Sequence, residues 1–353
     1  MSPIPVPSNS VLPPGSLILV TGITSFVGGH VADQLLKRGF RVRGVVRDLS
    51  KAEWLEDRFE KDYGKGTYEV AHVPDLSVKG ALDESMKDVS GVVHLATTLL
   101  FGPSTPDEFI LPTVAFAMNA LESADRSPSV ARFVFCSSTA SAAMVPPNTH
   151  ITVTKGMFNE TAIEASRRPP PYDPSHAMVS YSASKALAEK AIFQYIAEHP
   201  DSRLTVNIVL PEFNSGVPLS VEHQGYPTSA GNLKAVFEGD YTTAKFFPPL
   251  HYIHVVDDAL LHIAALLHPG AKSERIFSAH QSKNMNTTLA LFRRLYPERR
   301  FMEDDPTEGE NLAVYAEKPR ATELLRWMGK DEWTGMEESF KELADSLILV
   351  ESV

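Results

Sequence analysis

Tyr181-Ser-Ala-Ser-Lys185 sets a phenol and an ammonium four residues apart. In a helix, residues i and i+4 share one face, so both groups can serve one site. A phenol titrates at about 10 and moves protons poorly at neutral pH; a cation beside it favours the phenolate and brings it towards the working range. The chemistry on offer is proton transfer at an oxygen. Taken alone, the same residues also describe an exposed helix start. A second group lies 43 residues upstream, where the apolar run at 132–138, RFVFCSS, ends in Ser137-Ser138-Thr139. A hydroxyl at the carboxyl end of a strand sits where ligands of doubly wound sheets bind.

The element that would bring a reactant to these groups is Leu17 to Gly29, LILVTGITSFVGG. Leu17 to Val20 is a short apolar run suited to a central parallel strand. Thr21-Gly22 breaks it, and Phe26-Val27-Gly28-Gly29 leads into the helical spacing of Val31, Leu35 and Leu36. A strand that stops at a glycine turn and restarts as a helix aims free N–H groups outward, where they can hold a phosphate. Gly22-x-x-Ser25-x-x-Gly28 is thus a dinucleotide fingerprint with serine at the middle glycine. A strained backbone at Ser25 would cost about 1–3 kcal/mol. The expectation is that its hydroxyl donates to a phosphate and offsets part of that cost.

Strand and helix patterns alternate beyond this unit. Strands are predicted at 41–47, 68–73, 91–96, 132–138 and 204–210, with helices at 50–63, 107–124 and 179–198. This alternation implies an α/β fold, a Rossmann-type doubly wound parallel sheet. Residues 212–249 are rich in Gly, Pro, Ser and aromatics and suggest irregular, substrate-facing structure. A strand at 251–256, a strand at 275–279 and helices at 259–267, 287–295, 321–328 and 335–349 complete the reading. Ser50 (with Glu53) and Thr334 (with Glu337) read as helix N-caps, and Asp257-Asp258 as a further cap. The expected organisation is a flexible tail at 1–14, a nucleotide-binding domain at 15–211 and a smaller mixed C-terminal substrate lobe at 212–353, of which about 251–280 returns to the first domain.

The net charge of −11 over 353 residues argues against nucleic acid as a partner. Cys136 is the only cysteine, so no intrachain disulfide can form, which suits a reducing cytosol. MSPIPVPSNSVLPPG lacks the apolar stretch of a signal peptide, and no apolar run reaches membrane-spanning length. A cytoplasmic protein, monomer or homodimer, is expected, with no membrane partner.

From VTGITSFVGGHVADQLLKRGFRVRGVVRD through VVHLAT, FVFCSSTAS and YSASK to MEESFKELADSLIL, the chain resembles the extended short-chain dehydrogenases/reductases. Within them it is similar to the dihydroflavonol reductase and cinnamoyl-CoA reductase group, and especially to its yeast and fungal carbonyl reductases. The resemblance covers the chain beyond the N-terminal tail. It implies reduction of an aldehyde or ketone by hydride from a nicotinamide. Tyr181 would protonate the carbonyl oxygen, Ser138 would hold that oxygen in register, and Lys185 would bind the nicotinamide ribose and lower the Tyr181 pKa. The turn residues Thr21, Gly22, Ser25, Phe26, Val27 and Gly28 would hold the pyrophosphate. Asp75-Leu76 would meet the adenine, His94-Leu95-Ala96-Thr97 would line the nicotinamide ribose, and Pro211 would flank the nicotinamide. His94 reads as a strand histidine beside the cofactor, not as a base.

Cofactor choice follows from the end of the second strand. NAD-preferring folds place an acid there for the ribose 2′-OH. Here Arg47 stands in that place, suited to a 2′-phosphate, with Lys51 and Arg43 adding positive charge. NADPH/NADP is the expected cofactor. By the same resemblance the substrate pocket spans 98–101, including Leu100 and Phe101, with Ser138, Met144, residues 211–213 including Phe213, Tyr226 and residues 246–250. This lining is mostly apolar or aromatic and suits a hydrophobic small-molecule carbonyl compound. His251 and His254 lack a third ligand at metal spacing, so no metal is expected. The chain departs from the family pattern at Ser25 and at Ala115-Phe116-Ala117; Asn119 is kept, for a proton relay or for packing. Rival readings are an NAD(P)-dependent alcohol dehydrogenase or sugar-nucleotide epimerase of the same superfamily, and a non-catalytic NADP-sensing regulator.

Overall fold

Parallel strands closed by Gly, Pro or Asp and joined by amphipathic helices dominate the chain. A computed structural model describes residues 3–98, 105–173 and 176–351. Leu100 and Phe101 therefore lie outside the described residues. The elements run β1 (Leu17–Thr21), α1 (Phe26–Lys37), β2 (Arg41–Val46), α2 (Glu53–Tyr63), β3 (Tyr68–His72), β4 (Val89–His94), α3 (Pro106–Arg126) and β5 (Arg132–Cys136). Next come β6 (Ile151–Val153), α4 (Glu160–Ser166), α5 (His176–Glu198), β7 (Thr205–Pro211), β8 (Phe213–Ser215), α6 (Val221–Gln224), α7 (Thr228–Glu238) and α8 (Tyr241–Ala244). The last third holds β9 (Leu250–His254), α9 (Val255–Leu267), β10 (Arg275–Ser278), β11 (Gln281–Lys283), α10 (Met285–Leu295), β12 (Ala313–Tyr315), α11 (Lys318–Trp327) and α12 (Met336–Glu351).

Seven strands form one parallel sheet in the order β3-β2-β1-β4-β5-β7-β10. Chain direction across the sheet reverses between β1 and β4, which opens a crevice at their carboxyl ends. Both faces are covered, so the strands are apolar throughout rather than alternating. Leu35, Leu36, Leu261 and Leu266 pack one face, and Leu121, Ala188 and Ile192 pack the other. Each fully buried Leu or Ile contributes about 1.5–3 kcal/mol. Helix α9 is buried on nearly every side, as its run of Leu, Ile and Ala requires. A second core, built on Phe213, Phe237, Phe292 and Phe340, joins α7, α10 and α12 to the small sheet β11-β9-β8. No helix among the described residues is long and apolar enough to cross a membrane.

The strand pattern and the observed sheet agree in order but differ at the ends. β5 stops at Cys136, so Ser137 and Ser138 leave the ladder and turn. The expected caps are corrected in all three places. Asp48, not Ser50, caps a short 3-10 turn at Leu49–Lys51, and α2 starts later, at Glu53, without a side-chain cap. His254 caps α9, because the helix begins at Val255, four residues before the expected start at Ala259. Asp257 instead receives the Thr334 N–H at 2.7 Å and its hydroxyl at 3.1 Å, which ties the entry of α12 to α9. In each case a tertiary partner, or a turn unseen in the pattern, displaced the local cap.

Candidate active site

The turn after β1 is shaped by two glycines. Gly22 has φ +67°, and a Cβ there would stand 2.9 Å from the Ala96 nitrogen. At Gly28 a Cβ would lie 2.2 Å from the Gly22 carbonyl oxygen. Only a residue without a side chain fits either place. Ser25, by contrast, has ordinary extended backbone, φ −78° and ψ 169°, so the strain anticipated there is absent. Its hydroxyl oxygen accepts the Gly28 N–H at 3.1 Å and caps α1. Gly29 N–H goes to the Ser25 carbonyl at 3.0 Å. The Phe26 and Val27 N–H groups are then the ones left at the open, positive end of a twelve-residue helix. Phe26 itself is buried and joins α1 to the second core, and Val27 packs beside it. Gln224 closes the outer side, its amide donating to the carbonyls of Thr24 at 3.2 Å and Ser25 at 3.0 Å.

Thr21 spends its side chain inside the fold. Its hydroxyl oxygen accepts the N–H groups of Leu95 and Ala96, each at 3.1 Å. Its proton therefore goes to His94 Nδ1, 2.9 Å away, which requires a neutral imidazole. Burial agrees, holding the His94 pKa down at about 3. Thr21 has no side-chain donor left for a cofactor, and His94 locks β4 to β1. Thr97 lies beside Thr113 at 3.4 Å. Asn119 donates to the Leu76 carbonyl at 2.9 Å, so its amide anchors the stretch after β3. Asp75 accepts the Ser77 N–H at 2.8 Å and shapes the same stretch. Phe116 packs into the sheet core.

Ser138, Tyr181 and Lys185 converge where β5 ends beside α5. The Ser138 hydroxyl stands near enough to the Tyr181 phenol to hold its pKa down. The Ser138 oxygen also accepts the Ala140 N–H at 3.3 Å, which leaves its proton for the phenol. Lys185 is 2 % exposed and donates to the Cys136 carbonyl at 2.9 Å, with the Phe135 ring 5.1 Å beneath. Burial lowers the Lys185 pKa, while Cys136 and Glu189 oppose that fall. Lys185 is not among the groups that move the Tyr181 pKa here. Burial pushes Tyr181 up to about 12, Cys136 adds to the rise, and the Ser138 hydrogen bond opposes it. The ammonium is turned to a backbone carbonyl, so desolvation decides the phenol.

Arg47 is exposed just past β2, and its side chain has no ion pair among the described residues. Asp48 beside it accepts from Ser50 N at 3.1 Å and Ser50 Oγ at 2.7 Å, both on Oδ1, so one carboxylate oxygen is engaged in the turn. Lys51 is exposed on that turn. Arg43 is not free to join them: it binds Glu69 and the carbonyls of Ser85 and Lys87, each contact at 2.7 Å.

The expected pocket residues are less uniform than their apolar types suggest. Met144 is exposed, while Phe213 is 1 % exposed, set edge-on to Phe247 with Lys283 Nζ 3.7 Å above its ring. Tyr226 meets Ser346 of α12 at 2.9 Å. Pro211 pairs with Ser278 at the end of the sheet. Glu212, next in the chain, accepts from the Tyr315 hydroxyl at 2.8 Å and lies 3.5 Å from His251. His254 faces Glu342 at 3.1 Å. Sequence reading passed over Lys283, which lies in the polar stretch QSKN with no motif to mark it.

The family model for NAD dependent epimerases/dehydratases matches residues 18–211. Aldehyde reductase 2 of Sporidiobolus salmonicolor is 37% identical over 340 residues, 96% of this chain and 98% of that protein. The NAD-dependent epimerase/dehydratase terH of Aspergillus terreus is 37% identical over 345 residues, 96% of this chain and 99% of that protein. Among solved structures, yeast methylglyoxal/isovaleraldehyde reductase Gre2 complexed with NADPH superposes with a TM-score of 0.79 at 22% identity, covering 95% of this chain and 99% of that one.

Proposed function

The chain belongs to the NAD dependent epimerase/dehydratase family, as an extended short-chain dehydrogenase/reductase, and from that membership we propose that it is an NADPH-dependent carbonyl reductase. It reduces a small aldehyde or ketone to the alcohol. The observation that carries this reading is the convergence of Ser138, Tyr181 and Lys185 at the carboxyl edge of the sheet, where Lys185 ties the helix bearing Tyr181 to the strand end beside Ser138. Its similarity to an aldehyde reductase over nearly the whole chain supports it.

The residues present fit a phosphorylated dinucleotide. A Cβ would fill the cradle at Gly22 and Gly28, and the adjoining helix N-terminus suits a pyrophosphate. Arg47 faces solvent without a competing partner, and its fork suits a 2′-phosphate. Asp48 beside it receives both Ser50 donors on Oδ1, which turns one carboxylate oxygen to the 3-10 turn. When bound, NADPH supplies the hydride.

The protein's own residues supply the proton and the alignment. With its pKa at about 12, Tyr181 keeps its proton through neutral pH and is a donor in the resting protein. Ser138 and Tyr181 together present two hydroxyls to one carbonyl oxygen and hold it in register. Lys185 places a positive charge beneath them and fixes the strand end through the Cys136 carbonyl. Ser25, capped against Gly28 N–H, retains its own proton for a phosphate oxygen. The aromatic character of the partly buried Phe247 and Tyr226 favours a hydrophobic substrate.

NADPH absorbance followed against a panel of aldehydes, aryl ketones and keto esters tests the reading. Substrate-dependent oxidation of NADPH is expected; tight NADPH binding with no turnover across the panel would overturn it.

A further inference from the structure

Glu189 lies on α5 in register with Tyr181 and Lys185, at positions i, i+4 and i+8, and is wholly buried. One carboxylate oxygen, Oε2, accepts the Arg275 Nε–H at 2.6 Å. Arg275 is itself buried, its other nitrogens directed to the Lys155 and Met157 carbonyls at 2.7 and 2.6 Å and to Ser141 at 3.4 Å. An ion pair whose purpose was to neutralise two buried charges would be complete at that point. The other oxygen, Oε1, is instead turned to the end of β5, where it meets the hydroxyls of both Ser137 and Ser141. These two residues bracket Ser138. Ser141 shares its single proton between Glu189 and the Ser138 carbonyl, 2.7 Å away. One carboxylate therefore joins the helix that carries Tyr181 and Lys185 to the turn that carries Ser138.

We propose that Glu189 is the positioning residue that sets Ser138 against Tyr181, by holding Ser137 and Ser141 on the helix that bears the phenol. The proposal rests on the carbonyl reductase reading. Glu189 touches neither reacting atoms nor cofactor; it acts through the two serines. Two hydroxyls must reach one carbonyl oxygen, so a shift of the β5 turn along α5 separates them and lowers the rate of the reacting complex without removing a binding contact. The negative charge also supports the Lys185 ammonium against burial.

Removing Glu189 would leave Arg275 buried without a counter-charge, so the test acts on the serines. The double variant Ser137→Ala/Ser141→Ala keeps the Glu189–Arg275 pair and deletes both links to the turn. Steady-state kinetics with the best carbonyl substrate, NADPH binding by fluorescence and thermal melting are compared with wild type. Expected is a kcat lower by roughly tenfold to a hundredfold, with KM and NADPH affinity within about twofold of wild type. Ser137→Thr, which retains the hydroxyl, should keep most of the rate. If the double variant does not fold, Ser137→Ala alone serves with the same readouts. A folded variant with wild-type kcat, or one that loses melting temperature alone, overturns the positioning role and leaves the reductase reading intact. A wild-type protein inactive across the carbonyl panel overturns both.

Discussion

The Lys185 ammonium donates to the Cys136 carbonyl at 2.9 Å, which fastens the helix carrying Tyr181 to the strand end two residues before Ser138. The contact makes the lysine structural as well as electrostatic. Lys185→Met should remove both functions, leaving a buried carbonyl unpaired at a cost of about 1–3 kcal/mol. Lower kcat together with a lower urea midpoint is expected; loss of rate with unchanged stability would mean that the backbone bond is idle.

Tyr181→Phe removes the proton donor and leaves the ring. Turnover should fall by about 10²–10⁴-fold while NADPH binding, followed by fluorescence, stays at the wild-type level. Wild-type turnover by this variant would sink the catalytic assignment.

Arg47 offers an exposed charged fork with no ion pair among the described residues. Arg47→Ala should weaken NADPH binding by an amount typical of a charged hydrogen bond, about 1.5–3 kcal/mol, and leave NADH binding as it was. Titrations with both cofactors check this. An unchanged NADPH:NADH ratio would assign the 2′-phosphate to other residues.

Ser25 has two tasks that separate by substitution. Ser25→Ala loses the cap on α1 and should cost about 1 kcal/mol of stability, whereas Ser25→Gly should cost a few tenths. Both variants lose the hydroxyl, so both should bind NADPH more weakly than wild type. Melting curves and binding isotherms read the two effects independently. Equal NADPH affinity in all three proteins would show that the hydroxyl does not reach a phosphate.

His30 and His94 are buried and held neutral, with pKa values lowered to about 4 and about 3, chiefly by burial. Both lie below the value of about 6.5 for an unfolded chain. Between these values the unfolded state binds more protons, so the stabilisation is present above pH 6.5 and is lost as pH falls towards 4. Each histidine contributes about 1.4 kcal/mol per pH unit in that window. Urea unfolding should therefore show a clear loss between pH 7 and pH 5. A flat profile would contradict the burial assignment.

What the sequence determined by itself was local. The strand–turn–helix at Leu17–Gly29 follows from an apolar run, a glycine that must take φ +67° and another whose Cβ would strike the Gly22 carbonyl. The shared face of Tyr181 and Lys185 follows from helical geometry, and the order of the motifs from chain order. Tertiary structure decided the partners. Thr334 reads as a cap yet binds Asp257, Arg43 reads as a cofactor charge yet binds Glu69, and Lys185 reads as a partner for the phenol yet binds the Cys136 carbonyl. Glu189 has no motif at all, and its partners Ser137 and Arg275 come from the turn after β5 and from β10. Each of these side chains could satisfy its charge or hydrogen bond in several ways. The choice falls to whichever group the packed sheet and helices bring within reach and shield from water, and that depends on residues dozens of positions away.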